Sequence, residues 1–222
     1  MTHLPAPFRN ICLALGLIAL AGCGSSPTPR FYTLHAAVKA PAATTAATTA
    51  VTPAVTLVAA AAPQSGQAGP VVVGVGPVEI PDYLDRPQIV TRSTQNRLSL
   101  SEFDLWGGAL KADINRVLVE NLCAILPPDR FSPIAWTQGI PMDYRVTLNV
   151  IRFDVKPGEE VKLCAQWTLS GKERKAGTLI VSSSFSEQLA GGDLNDVVSA
   201  MSRAVGRLSE EIAAKIEETV RE

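Results

Sequence analysis

The sequence predicts an α+β fold: a two-layer domain in which a mainly antiparallel sheet carries two helices on one face. Three observations predict it. Between residues 144 and 185, apolar and polar residues alternate in three successive runs, the period-two signature of strands buried on one side. Two further segments, ending near residues 125 and 216, place apolar residues at three- and four-residue spacing, as helices with one buried stripe do. Two such stripes and one apolar sheet face are surfaces that can cover one another.

The chain opens with a secretory leader over residues 1–22. Arg9 sits in a short n-region without acids, and the apolar stretch from Ile11 to Leu20 follows. At about 10–12 residues it is short of the ~20 needed to cross a bilayer. Leu20-Ala21-Gly22-Cys23 resembles the bacterial lipobox. The resemblance implies cleavage before Cys23 and acylation of that cysteine with chains such as palmitate. Each buried methylene contributes about 0.8 kcal/mol, so two chains anchor stably where one does so marginally. Gly24 stands where an Asp would resemble the inner-membrane retention signal. The expected location is therefore the inner leaflet of the outer membrane, with the protein facing the periplasm.

Residues 23–35 form the lipid-anchored N-terminus. Within them Arg30-Phe31-Tyr32-Thr33-Leu34 is a short β-prone run. Two placements are open to it: the first strand of the domain, or part of a tether. Residues 36–70 are almost entirely Ala, Thr, Val, Pro, Gly and Gln. Without large apolar groups they cannot offset an ordering cost of roughly 1–2 kcal/mol per residue, so a disordered tract is expected.

The folded domain is expected over residues 71–222. Val71 to Ile80 reads as a strand, with Gly74 and Gly76 marking a bend or close approach. Pro81 to Pro87 is a turn-rich crossing, followed by strands at 88–92 and 97–100. Ser101, with Asp104 three residues on, gives a capping-box pattern for a helix. Its stripe runs through Leu110, Ile114, Val117, Leu118, Asn121, Leu122 and Ile125, and Pro127-Pro128 stops it. The alternating strands follow, with Gly158-Glu159-Glu160 as a hairpin loop between the first two. A long helix opened by Gly191-Gly192-Asp193 closes the chain.

Composition limits the chemistry. The chain has 20 basic and 21 acidic residues and no run of Lys and Arg, so no nucleic-acid partner is expected. Its histidines are His3, in the leader, and His35, which leaves no triad or His-based metal site. Cys123 and Cys164 fall on a helix stripe edge and on the polar side of a strand. A bridge needs Cα atoms about 4.4–6.8 Å apart, so unpaired thiols are the simpler expectation, although the periplasm permits a disulfide. Gly74-Val75-Gly76 lacks the third glycine and the helix of a dinucleotide fingerprint, since position 79 is Glu. Asp82 with Asp85, and Glu159 with Glu160, read as surface turn residues. No catalytic residues, metal or cofactor are expected, and the chain is not read as an enzyme.

The stretch from Val73 to Arg92, with Pro81-Asp82-Tyr83-Leu84 leading to Gln88-Ile89-Val90-Thr91-Arg92, resembles the PqiC family of auxiliary lipoproteins. Leu105-Trp106-Gly107-Gly108-Ala109-Leu110 matches the family's next motif in its tryptophan and final leucine. Arg116-Val117-Leu118, Leu163-Cys164-Ala165-Gln166-Trp167, Ser209-Glu210-Glu211-Ile212-Ala213 and Phe31-Tyr32-Thr33-Leu34 extend the likeness. It implies an accessory subunit of an MCE-type or ABC-type system that moves lipid between the two membranes. The partners implied are an MCE-domain tunnel protein and its permease, and a homo-oligomeric ring is one arrangement compatible with that role. Tyr83, Leu84 and Arg86, in the proline-bounded crossing, and Trp106 are the candidate partner contacts, with a core role competing for Trp106. A second reading, a lipoprotein activator of a peptidoglycan-building enzyme, rests on the long tract, which would have to carry the domain outward.

Overall fold

The computed structural model describes residues 27–38, 69–156, 159–172 and 177–221. The leader, the lipobox at Cys23 and most of the 36–70 tract lie outside the described residues.

The α+β class is as expected: eight strands and two helices are present among the described residues. In chain order they are β1 (Arg30–Tyr32), β2 (Val71–Glu79), β3 (Gln88–Thr94), β4 (Arg97–Trp106), α1 (Leu110–Ile125), β5 (Phe131–Ala135), β6 (Tyr144–Lys156), β7 (Glu160–Gly171), β8 (Thr178–Gln188) and α2 (Leu194–Arg221). The strands divide into a larger sheet, β5-β2-β6-β7-β8, and a smaller one, β1-β4-β3. β6, β7 and β8 form an antiparallel meander, whereas β2 runs parallel to both its neighbours. The run near Phe31 pairs parallel with β4, Arg30 opposite Asp104 and Tyr32 opposite Trp106.

Alternation builds the core. On β6 Val146, Leu148 and Val150 are buried while Arg145 and Asn149 are exposed. On β7 Val161, Leu163, Ala165, Trp167 and Leu169 are buried. Both helices pack their stripes onto that face: α1 covers β2 and β5, and α2 covers β7 and β8. Each fully buried Leu or Ile, such as Leu118, Leu208 and Ile212, contributes about 1.5–3 kcal/mol. Trp167 Nε1 donates to Ser183 Oγ at 3.0 Å, and that hydroxyl donates to Glu211 Oε1 at 2.5 Å, so the indole enters the core with its polar atom satisfied.

Two local expectations are corrected. The helix does not open at Ser101: β4 continues through Trp106 and α1 begins at Leu110. Ser101 Oγ donates to the Asp104 carboxylate at 2.6 Å instead of capping a helix. Paired strands on both sides of β4 outweigh the local capping pattern. The strand β5 was also not expected. It is five residues long with Pro133 inside, tolerable because β5 is an edge of its sheet. The glycines of β2 behave as expected. A Cβ on Gly74 would stand 1.9 Å from Met142 Sδ, and Gly76 takes φ +119, a conformation glycine adopts freely. Asp193 opens α2, its Oδ1 accepting from Asp196 N at 2.8 Å.

Candidate functional site

The segment from Arg30 to Val38 is fastened to the domain by side chains aimed at its backbone. Leu34, buried in the core, donates its N–H to Asp113 Oδ2 at 2.6 Å and accepts from Arg116 Nη2 at 2.7 Å. Arg116 also pairs with Asp113 and Glu120. His35 N donates to Ser202 Oγ at 3.2 Å, and Val38 N to Asn121 Oδ1 at 3.4 Å. Ser202 and Ser209 direct their own hydroxyl protons to the carbonyls of Val198 and Val205. Their oxygens therefore remain free to accept, Ser209 Oγ from Asn121 Nδ2 at 3.1 Å. Gly206 allows the close passage: a Cβ there would lie 3.2 Å from Ala37 Cβ.

Two buried carboxylates complete the framework. Asp104 accepts from Arg30 Nε at 2.7 Å, Tyr32 Oη at 3.2 Å and Ser101 Oγ at 2.6 Å. Burial pushes this carboxyl up, but the bonds from Ser101, Arg30 and Tyr32 together outweigh it and hold it below the usual carboxylate value. Asp154, at the end of β6, accepts from Arg92 Nε at 2.6 Å, from Tyr83 Oη at 3.0 Å and from Arg152. Burial again opposes the charge, and the bonds from Arg92, Tyr83 and Arg152 prevail, lowering its pKa. Burial and the nearby Asp154 carboxylate raise the Tyr83 phenol. Arg92 belongs to β3 and Asp154 to β6, so this cluster joins the two sheets.

The four candidate contact residues separate. Leu84 and Trp106 are core residues. Tyr83 is partly buried, with its hydroxyl on Asp154. Arg86 is exposed. The structure nevertheless brings Arg86 and Trp106 together: with Asp85, Pro87, Gly107, Gly108 and Ala109 they line an open pocket of about 350 Å3. It adjoins the end of β1, where Gly107 N donates to Tyr32 O at 2.8 Å and Trp106 N to Pro87 O at 2.7 Å. Its ionisable groups are Asp85, paired with Lys111 Nζ at 2.9 Å, and Arg86. That lining offers a recognition surface with one cation, not an acid–base pair or a nucleophile with its base.

Cys123 and Cys164 are both free thiols. Asp104, Asp113, Asn121, Asp154 and Ser202 were missed as positioning residues. One legible signal was Phe153-Asp154-Val155, an acid set among apolar residues in a strand.

The sequence matches the family of the ABC-type transport auxiliary lipoprotein component over residues 55–213. No curated protein matches it. Among solved structures, the crystal structure of an uncharacterized protein is 19% identical, covering 66% of this chain and 92% of its own, with a TM-score of 0.59. A protein from Xanthomonas campestris is 14% identical, covering 72% of this chain and 90% of its own, with a TM-score of 0.55. At such identities these two share the fold. The family match spans well over half of the chain and agrees with the PqiC-like motifs, so the chain belongs to the ABC-type transport auxiliary lipoprotein family.

Proposed function

We propose that the protein is a non-enzymatic accessory subunit of an MCE-type intermembrane lipid transport system. In this reading it is acylated at Cys23 and held on the inner leaflet of the outer membrane. The observation that carries the reading is the family match over residues 55–213 together with the lipobox-like Leu20-Ala21-Gly22-Cys23. The fastening of residues 30–38 supports it. Seven residue steps from Cys23 to Arg30 span at most about 25 Å, so the domain stays near its leaflet, where a tunnel arriving from the inner membrane would end. The same fastening removes the support for the peptidoglycan reading. With β1 paired to β4, the 36–70 tract lies between two docked segments and adds nothing to the distance from anchor to domain. Arg86 and the pocket beside Trp106 are the surface assigned to the tunnel protein. Crosslinking of the full chain in cells tests this: a photoreactive residue at position 86 is expected to capture an MCE-domain protein. Capture of a cell-wall synthase instead, or of no MCE-domain protein, refutes it.

A further inference from the structure

The smaller sheet has an inner and an outer face. Asp104 and Trp106 point to the inner one and are buried. Phe31 is 67% exposed, the most exposed large hydrophobic among the described residues. Its register partner on β4 is Leu105, and Phe103, two residues earlier, shares the same face through strand alternation. Phe103 and Leu105 are half-buried, yet neither belongs to the core cluster nor packs against it. The outer face therefore carries an apolar strip of three side chains at the edge formed by β1. An exposed apolar cluster of this kind marks a contact surface.

The position of the strip says what covers it. Only six residues, 24–29, separate Cys23 from β1, so Phe31 cannot stand more than about 28 Å from the acylated residue. Arg30, paired with Asp104, turns to the inner face and leaves the ring of Phe31 on the outer one. An exposed aromatic side chain held this close to the acyl chains suits the boundary between headgroups and hydrocarbon. Ile180, 61% exposed on β8, has no such tether.

We infer that the outer face of the smaller sheet is the membrane-facing side of the domain. Phe31 seats in the interfacial layer of the leaflet that holds the acyl chains, with Leu105 and Phe103 beside it. The inference rests on acylation of Cys23 and adds which face meets the lipid. It also orients the molecule, because the pocket of Arg86 and Trp106 then lies near the bilayer surface rather than at the far end of the domain.

The test uses the full acylated chain in phosphatidylethanolamine–phosphatidylglycerol vesicles whose acyl chains carry bromine, a short-range quencher of indole emission. Phe31→Trp and Ile180→Trp are compared with the wild type, whose Trp106, Trp136 and Trp167 supply the background. The added indole of Phe31→Trp is expected to sit about 5–10 Å into the interface and lose roughly half its emission. Ile180→Trp is expected to lose none. Phe31→Ser should still float with the vesicles, because the acyl chains hold it. A floating protein whose Phe31→Trp indole is unquenched overturns the inference and leaves the anchor standing. So does quenching of Ile180→Trp instead, or a blue shift at position 31 that bromine leaves untouched and dilution abolishes, which assigns the strip to a second copy. Failure of the wild type to float removes the anchor, and the inference with it.

Discussion

Replacing Asp154 by Ala tests how the two sheets are joined. The carboxylate is 5% exposed and accepts from Arg92 Nε at 2.6 Å, from Tyr83 Oη at 3.0 Å and from Arg152. A hydrogen bond to a charged group contributes about 1.5–3 kcal/mol. The Arg152 side chain is 43% exposed, so its share is that of a surface pair, about 0–1 kcal/mol. Arg92, at 21%, and Tyr83 decide the outcome. Removing one member of a buried pair costs about 3–5 kcal/mol, because the other charge is left without a partner. Access of Arg92 to water places Asp154→Ala at the lower end, about 3 kcal/mol. For a folded unit of this size that lowers Tm by roughly 6–12 °C. Circular dichroism melts at pH 7 measure it. The double variant Asp154→Ala/Arg92→Met is expected to recover part of the loss, since the stranded guanidinium is gone. A single variant melting within about 2 °C of the wild type, or strictly additive losses in the double variant, would refute the reasoning.

Acid should act on the same groups. Asp104 and Asp154 both have lowered pKa values in the folded protein, so the unfolded chain binds more protons than the folded one at low pH. Their contribution is complete above about pH 4 and declines as pH falls through the lowered folded values. Denaturant midpoints measured downward from pH 6 are expected to fall in that range, and less so for Asp154→Asn. Gly206→Leu should displace Ala37 and Val38, which pass against that glycine. Limited proteolysis is expected to cut the 30–38 segment in this variant while the meander β6–β8 resists. Cys123 and Cys164 should both react with a thiol reagent in the denatured, unreduced protein, and a reductant should leave Tm unchanged. A melting point that drops on reduction would mean that they pair.

What the sequence disclosed was whatever depends on neighbours in the chain. The period-two runs of β6, β7 and β8 and the stripe of α2 were legible because each signal lies inside its own element. The start of α1 was not: Ser101 and Asp104 carry the same spacing whether they cap a helix or share a strand's polar cluster, and only the pairing of β4 with β1 and β3 distinguishes the two. β5 escaped notice because Pro133 argues against a strand unless its edge position is known. The division into two sheets depends on register between distant segments, such as Val73 with Tyr144. Among the candidate contacts, Arg86 was exposed and Leu84 was buried because the crossing folds back on itself, Leu84 N donating to Pro81 O at 2.9 Å. The cross-strand partners of Asp104 and Asp154, Arg30 and Arg92 respectively, lie far away in sequence, and no local pattern records them.

The fastening of residues 30–38 has a mechanical consequence. A pull arriving along the chain from the bilayer enters at Arg30 and meets in succession Asp104 on β4, Asp113 on α1, Ser202 on α2 and Asn121 on α1. These footholds belong to three separate elements, and Leu34 is wedged among them in the core. Force is thereby shared among β4, α1 and α2 instead of peeling away a single strand. A tethered domain loaded through this segment would keep its shape under that strain.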